Sequence, residues 1–228
     1  MIAATRLLLV RHGESQAQVT RVVGGATGCT GLSDLGRRQV AALAGRWSGS
    51  DVGADRLLSS TLPRALETAE LLAPALGGLS VEPDPDLCEL QPGECDGQSW
   101  DDYQERYGVD MRADPYAPLS PGGESVAEFL VRVGRALHRI AVDHAGSTVV
   151  IACHGGVIDG SMVNFLGIPP QRAADLDLRT TNAAVTEWVA ERTDDGPLRW
   201  ALRRYNDASH LEGLDGQGDA SPDPPSIG

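Results

Sequence analysis

Lysine is absent from this 228-residue chain, in which all 19 basic residues are arginine. Its absence excludes a Schiff base, a P-loop lysine and a lysine general base together. Cysteine is sparse: Cys29, Cys88, Cys95 and Cys153 show no C-x-x-C spacing, so no disulfide and no structural zinc are expected. Isolated cysteines of this kind serve as small core hydrophobes. No apolar run approaches the ~18 residues that span a bilayer, and the first residues, with Arg6 late and few apolar positions, lack the pattern of a signal peptide. The expected compartment is the cytoplasm. Positive charge is scarce as well. A net charge of −13 argues against a general basic surface for nucleic acid or an anionic membrane, so any bound anion must be held locally.

What is present suits one soluble domain. With 41% hydrophobic and 4% aromatic residues, the chain can bury one substantial core and has room for an inserted cap. "RLLLVRH" (6–12) is a short continuous apolar strand, and "LSDLGRRQVAALAGRW" (32–47) has helical spacing behind a Ser33 or Asp34 cap. A strand is predicted at 55–60, a helix from Leu62 or Pro63 to Leu76, and a weaker strand at 79–84. A long amphipathic helix over 122–146, ending at Gly146, leads into the strand "STVVIACH" (147–154) and a helix at about 156–166. Residues 183–191 and 198–206 read as a closing strand pair. Apolar strands alternating with helices predict an α/β three-layer sandwich, its mainly parallel central sheet covered by helices on both faces.

In such sheets ligands collect at the carboxyl ends of the strands. There the sequence places "RHG" (11–13) and "CHGG" (153–156), and "SSTLPRALETAE" (59–70) sets Arg64 in the first turn of a helix after a strand. A guanidinium offers a fork of donors, and glycine lets backbone approach a ligand closely. Two histidines and two arginines at three strand ends make a cationic pocket in an acidic protein. Its natural guest is a phosphate.

These motifs, "LVRHGES", "LSDLGRRQ", "SSTLPRALETA", "LCELQPGECDG", "PGGES" and "ACHGG", stand in an order that resembles the histidine phosphatase superfamily, in its phosphoglycerate-mutase-like branch, over roughly residues 6–206. The resemblance implies that His12 is the nucleophile that becomes phosphorylated, and that Arg11, Arg64 and His154 hold the non-bridging oxygens. Glu89 matches the acid that protonates the departing oxygen and later deprotonates water, with Glu94 or Asp96 as rivals. Arg11, Gln18, Arg64, His154 and Gly155 form the implied phosphate-binding set, Gln18 standing where many members carry asparagine. Charge in phosphoryl transfer spreads over the non-bridging oxygens, and fixed cations stabilise it without a metal or cofactor. Glu14 is expected to orient Arg11 or another pocket residue, and Cys153 to pack. His138 and His144 are expected on a solvated helix face, while His210 either closes over the pocket or is plain surface.

The domain is expected at 1–211, with a cap-like insert at about 90–125 and a disordered acidic tail at 212–228. Mutases of the family hold a second acidic group with an arginine-rich insert. Here Arg106 and Arg112 face Asp101, Asp102, Glu105, Asp110 and Asp114, a balance that repels a strongly anionic leaving group. Trp100, Tyr103 and Tyr107 are either walls for that group or core. The expected activity is therefore a phosphomonoesterase acting on a small molecule through phosphohistidine. A cofactor-dependent phosphoglycerate mutase and a non-catalytic phosphoryl-binding protein are the alternatives. A homodimer is one assembly the sequence allows.

Overall fold

Four consecutive apolar residues, Leu7 to Val10, form the middle of β1 (Thr5–Arg11), and all four are buried. Successive side chains of a strand point to opposite faces. Leu7 and Leu9 enter one hydrophobic cluster, and Leu8 and Val10 enter another on the far side of the sheet. Because both faces are apolar, polarity along the middle of the strand does not set the register. Its start does: Thr5 Oγ1 donates to Ala141 O at 3.0 Å, and Arg6 pairs with Glu187 at 3.1 Å.

The computed structural model describes residues 4–214 apart from 51, 112, 174, 175, 177 and 193–195. Beside β1, it contains β2 (Arg56–Ser59), β3 (Val81–Pro83), β4 (Thr148–Cys153), β5 (Val185–Arg192) and β6 (Leu198–Asp207). They form one sheet in the order β3-β2-β4-β1-β5-β6, in which β1 to β4 are parallel and β5 and β6 close the edge antiparallel. The carboxyl ends of β1, β4 and β2 are therefore neighbours.

The helices are α1 (Gln16–Thr20), α2 (Asp34–Ser48), α3 (Pro63–Leu72), α4 (Trp100–Arg106), α5 (Val126–Asp143), α6 (Gly155–Phe165) and α7 (Pro170–Ala173). α2 and α3 cover the Leu8 face; α5 and α6 cover the Leu7 face. Those two layers, with the sheet between them, are the expected sandwich. α5 and α6 cross closely: a Cβ on Gly134 would lie 2.6 Å from Asn164 Oδ1, while Asn164 Nδ2 donates to Leu130 O at 3.0 Å.

Several boundaries differ from the sequence reading. α3 stops at Leu72 and tightens into a 3-10 turn at Ala73–Leu76, because Pro74 brings no N–H to the ladder. α5 is shorter than 122–146: Gly122 has φ 74°, and Ser125 begins the helix in a capping box with Glu128. At its far end His144 is the C-cap, before Gly146 at φ 85°. α1, unforeseen, is a single short element capped by Ser15 and Gln18. Of the tail expected from 212, residues 215–228 lie outside the described residues, as does Arg112; Leu214 N still donates to Leu211 O at 3.0 Å. Among the described residues no helix is long and apolar enough to cross a membrane.

Candidate active site

The ladder between β1 and β4 continues one residue past β1, where His12 N donates to Cys153 O at 2.9 Å. This places the His12 ring, 4% exposed, beside that of His154, with ring centroids 5.2 Å apart. His12 Nδ1 lies 2.7 Å from Gly13 O. A carbonyl only accepts, so Nδ1 carries the hydrogen and Nε2 carries the lone pair. Arg64 Nε donates to that lone pair at 3.0 Å, and Arg64 Nη1 donates to Gly24 O at 2.6 Å. Burial, then Arg64 and Arg11, hold the His12 pKa well below the ordinary value, so the ring is neutral at pH 7.

Arg11 ends β1, and its Nη1 donates to Thr180 O. Burial lowers its pKa to about 10 against the opposing pull of Glu89 and Asp159, so it remains charged at neutral pH. His154 is the N-cap of α6, and its pKa too is pushed well below the ordinary value, by burial first and then by Arg64. Its Nε2 lies 2.8 Å from Ser60 Oγ, while Nδ1 is buried with no partner, which leaves that nitrogen for a ligand. Gly155 opens α6 beside it. The sequence-predicted Arg11, His12, Arg64 and His154 thus meet at the ends of β1, β4 and β2.

Glu89 faces the same end of α6. Its Oε2 accepts from Gly156 N at 3.0 Å, and a Cβ on Gly156 would fall 2.2 Å from Oε1. Arg132, which the sequence reading passed over, fixes the loop that carries Glu89. It donates to Asp86 O, Cys88 O and Glu89 O at 2.8, 2.9 and 3.2 Å while paired with Glu124 at 2.7 Å. One more arginine on a helix gave no sequence signal for that role. The rivals to Glu89 are engaged elsewhere or solvated: Asp96 accepts from the backbone N–H of Gly25, Thr27 and Gly28 at 2.7–3.0 Å, and Glu94 is exposed.

Gln18 sits beside the cluster with its amide turned to its own cap. Oε1 accepts from Ser15 N at 2.9 Å, and the side chain meets Asn182, whose Nδ2 donates to His12 O at 3.0 Å. Asn182, also unforeseen, precedes Ala183, which adopts φ 58° and donates to both Arg11 O and His12 O. Glu14 does not orient Arg11; its carboxylate accepts from Ser33 Oγ, the cap of α2, at 2.6 Å. The His210 ring has Arg46, Asp207 and the backbone of Ala183 around it, rather than the four-residue cluster. His138 is exposed, His144 half-buried, and Cys153 fully buried with its thiol pKa pushed up by burial.

Residues 97–100 pair with 21–23 through Val23 N to Gln98 O at 2.8 Å and Trp100 N to Arg21 O at 3.0 Å. The segment thereby packs a small cluster of Val23, Cys95, Tyr103 and Leu119, joined by Trp100 and Tyr107. Tyr103 is 0% exposed, so this ring is core and no wall for a ligand.

A family model for the histidine phosphatase superfamily (branch 1) matches residues 7–208. Two Arabidopsis thaliana proteins are similar along most of their length. Phosphoglycerate mutase-like protein 4 is 32% identical over 215 residues, 90% of this chain and 86% of its own. A metal-independent phosphoserine phosphatase is 30% identical over 214 residues, 92% and 84%. Among solved structures, a mycobacterial glucosyl-3-phosphoglycerate phosphatase in complex with VO3 shares the fold with a TM-score of 0.75 and 27% identity, over 89% of this chain and 99% of that one. The matched span begins in the first strand and ends one residue past the last, enclosing every residue of the cluster, and the chain belongs to the histidine phosphatase superfamily, branch 1.

Proposed function

We propose that the protein is a metal-independent phosphomonoesterase that hydrolyses a small-molecule phosphate ester through a phosphohistidine on His12. The observation that carries this is the geometry of His12: Nδ1–H is anchored on Gly13 O and the Nε2 lone pair faces the Arg64 guanidinium, in surroundings that keep the ring neutral. A neutral imidazole is the nucleophilic form and needs no base. As a phosphoryl group enters, Arg64 and Arg11 transfer their donors to its oxygens. His154 Nδ1 joins them when the Ser60 hydroxyl donates to Nε2. Nε2 attacks phosphorus, the P–O bond breaks, and Glu89 gives the departing oxygen its proton. The Glu89 carboxylate then takes a proton from water, whose oxygen attacks phosphorus, the P–N bond breaks and phosphate leaves.

The neighbourhood of the 97–100 segment favours hydrolysis over mutase chemistry. Asp101, Asp102, Glu105, Asp110 and Asp114 are exposed on and after α4, a poor setting for a second acidic group. The names of the relatives, two phosphatases and a mutase-like protein, support the same class. A cytoplasmic setting is part of this reading, supported by four free thiols.

Brief mixing with a labelled phosphoester should leave acid-labile, base-stable label on the protein, absent from His12→Ala, with turnover unaffected by chelator. Label at the wild-type level in that variant would overturn the assignment. A panel of metabolite phosphoesters, assayed in parallel for mutase activity, separates the readings: mutase turnover exceeding hydrolysis would favour the first alternative, and no turnover the non-catalytic one.

A further inference from the structure

α6 is buried from Gly155 to Val163, and the one ionisable group on that stretch is Asp159, 2% exposed. Its carboxyl has a long contact, 3.5 Å, with Thr180 Oγ1, a hydroxyl that also lies 3.3 Å from Tyr205 OH. Thr180 is the residue whose carbonyl accepts Arg11 Nη1. The charged groups that act on Asp159 are Arg11 from β1 and Glu89 from the loop before α4. α5 presents Leu130 and Val133 to the adjacent Gly160, its Arg132 being paired with Glu124; β5 contributes the Trp188 indole, which donates to Ser161 Oγ. A carboxyl with so little water and so long a hydrogen bond ionises reluctantly. Burial first, then Glu89, push its pKa up to about 8 against the pull of Arg11.

We propose that Asp159 is the counter-charge and positioning residue of Arg11, ionised in the empty pocket only in mild base and protonated from solvent when a phosphoryl dianion enters. The inference rests on reading the pocket as the phosphoryl site. In mild base an ionised Asp159 balances the buried guanidinium of the empty pocket; an incoming dianion supplies two negative charges of its own. The same dianion repels the Asp159 carboxylate through a medium that screens poorly. His12 and His154, held neutral, do not compete for that proton near pH 8.

Sulfate tests this, since it stays dianionic from pH 6 to 9 and any proton exchanged belongs to the protein or the buffer. Calorimetry of the full chain in two buffers of different ionisation enthalpy should show about half a proton taken up per sulfate at pH 8 and almost none at pH 6. Sulfate affinity should fall about tenfold from pH 7 to pH 9. Asp159→Asn, neutral throughout, should bind sulfate equally at both pH values and take up no proton. Weaker binding by the same factor at every pH, or an unchanged proton count, would overturn the inference and leave the phosphatase reading intact. Should the variant not fold, the wild-type proton count decides alone. No sulfate binding at any pH overturns the reading of the pocket, and this inference with it.

Discussion

Arg64 Nε donates to His12 Nε2 at 3.0 Å, so the cation that lowers the basicity of this imidazole also covers its lone pair. On the proposed reading, this contact keeps His12 neutral in the empty site and is given up when a phosphoryl group takes the Arg64 donors.

Removing that cation should raise the His12 pKa. In Arg64→Met the ring loses the largest charge contribution that holds it down, so His12 should gain a proton at a higher pH than in the wild type. NMR titration of His12 reads this directly. Since a protonated imidazole has no lone pair, the acid limb of kcat/KM should move to higher pH together with the NMR pKa. A pKa unchanged by the substitution would mean that burial and Arg11 set it without Arg64.

Glu89 has two independent tests. Glu89→Gln should slow single-turnover phosphorylation by alkyl phosphates about 10²–10⁴-fold and by nitrophenyl phosphate far less, because nitrophenolate leaves without a proton. Gly156→Ala leaves the carboxyl in place chemically but sets a methyl 2.2 Å from its present Oε1 position, so the side chain must swing away. Alanine suits this helical position, and stability should change little. The variant should then reproduce the leaving-group selectivity of Glu89→Gln in milder form. Equal slowing of both substrates in either variant would assign Glu89 to pocket shape alone.

The acids near α4 should discriminate by charge. Asp101 is 90% exposed and lies 3.7 Å from Arg21, a pair of little energetic weight in water. Reversing Asp101, Asp102 and Asp110 to arginine should therefore leave stability nearly unchanged while lowering KM several-fold for multiply anionic phosphoesters. KM for neutral ones should stay constant. A constant KM for the anionic esters would show that the charge of this segment does not reach the pocket.

His210 should limit stability in mild acid. Burial, with Arg46 next, lowers its folded pKa to about 4, against the ordinary 6.5 when unfolded. Between those values the unfolded chain binds the proton and the folded one does not, so stability falls as pH falls from 6.5 towards 4. His210→Gln removes this contribution. The drop in Tm from pH 7 to pH 5 should be smaller by a few degrees than in the wild type, with the difference absent above pH 7.5; identical drops would show that the ring titrates alike in both states.

What the sequence determined by itself is the order of elements and the four residues that meet. Apolar runs such as Leu7 to Val10 and Thr148 to Cys153 specify strands buried on both faces, and the topology that follows brings Arg11, His12 and His154 to adjacent strand ends, with Arg64 one helical turn away. Local chemistry also set the cap at Ser33 and the proline start of α3. Tertiary structure decided which polar group each remaining side chain serves. Asp96 looked like an acid and is a clamp for three backbone N–H groups, and Glu14 turned from Arg11 to Ser33. Tyr103 closed a small core, while Arg132, Asp159 and Asn182 gained roles through partners 21 to 170 positions away. Periodicity encodes which face of an element is buried; it carries no record of which hydrogen-bonding groups that burial brings together, because those partners belong to other elements and meet only after the sheet has ordered them.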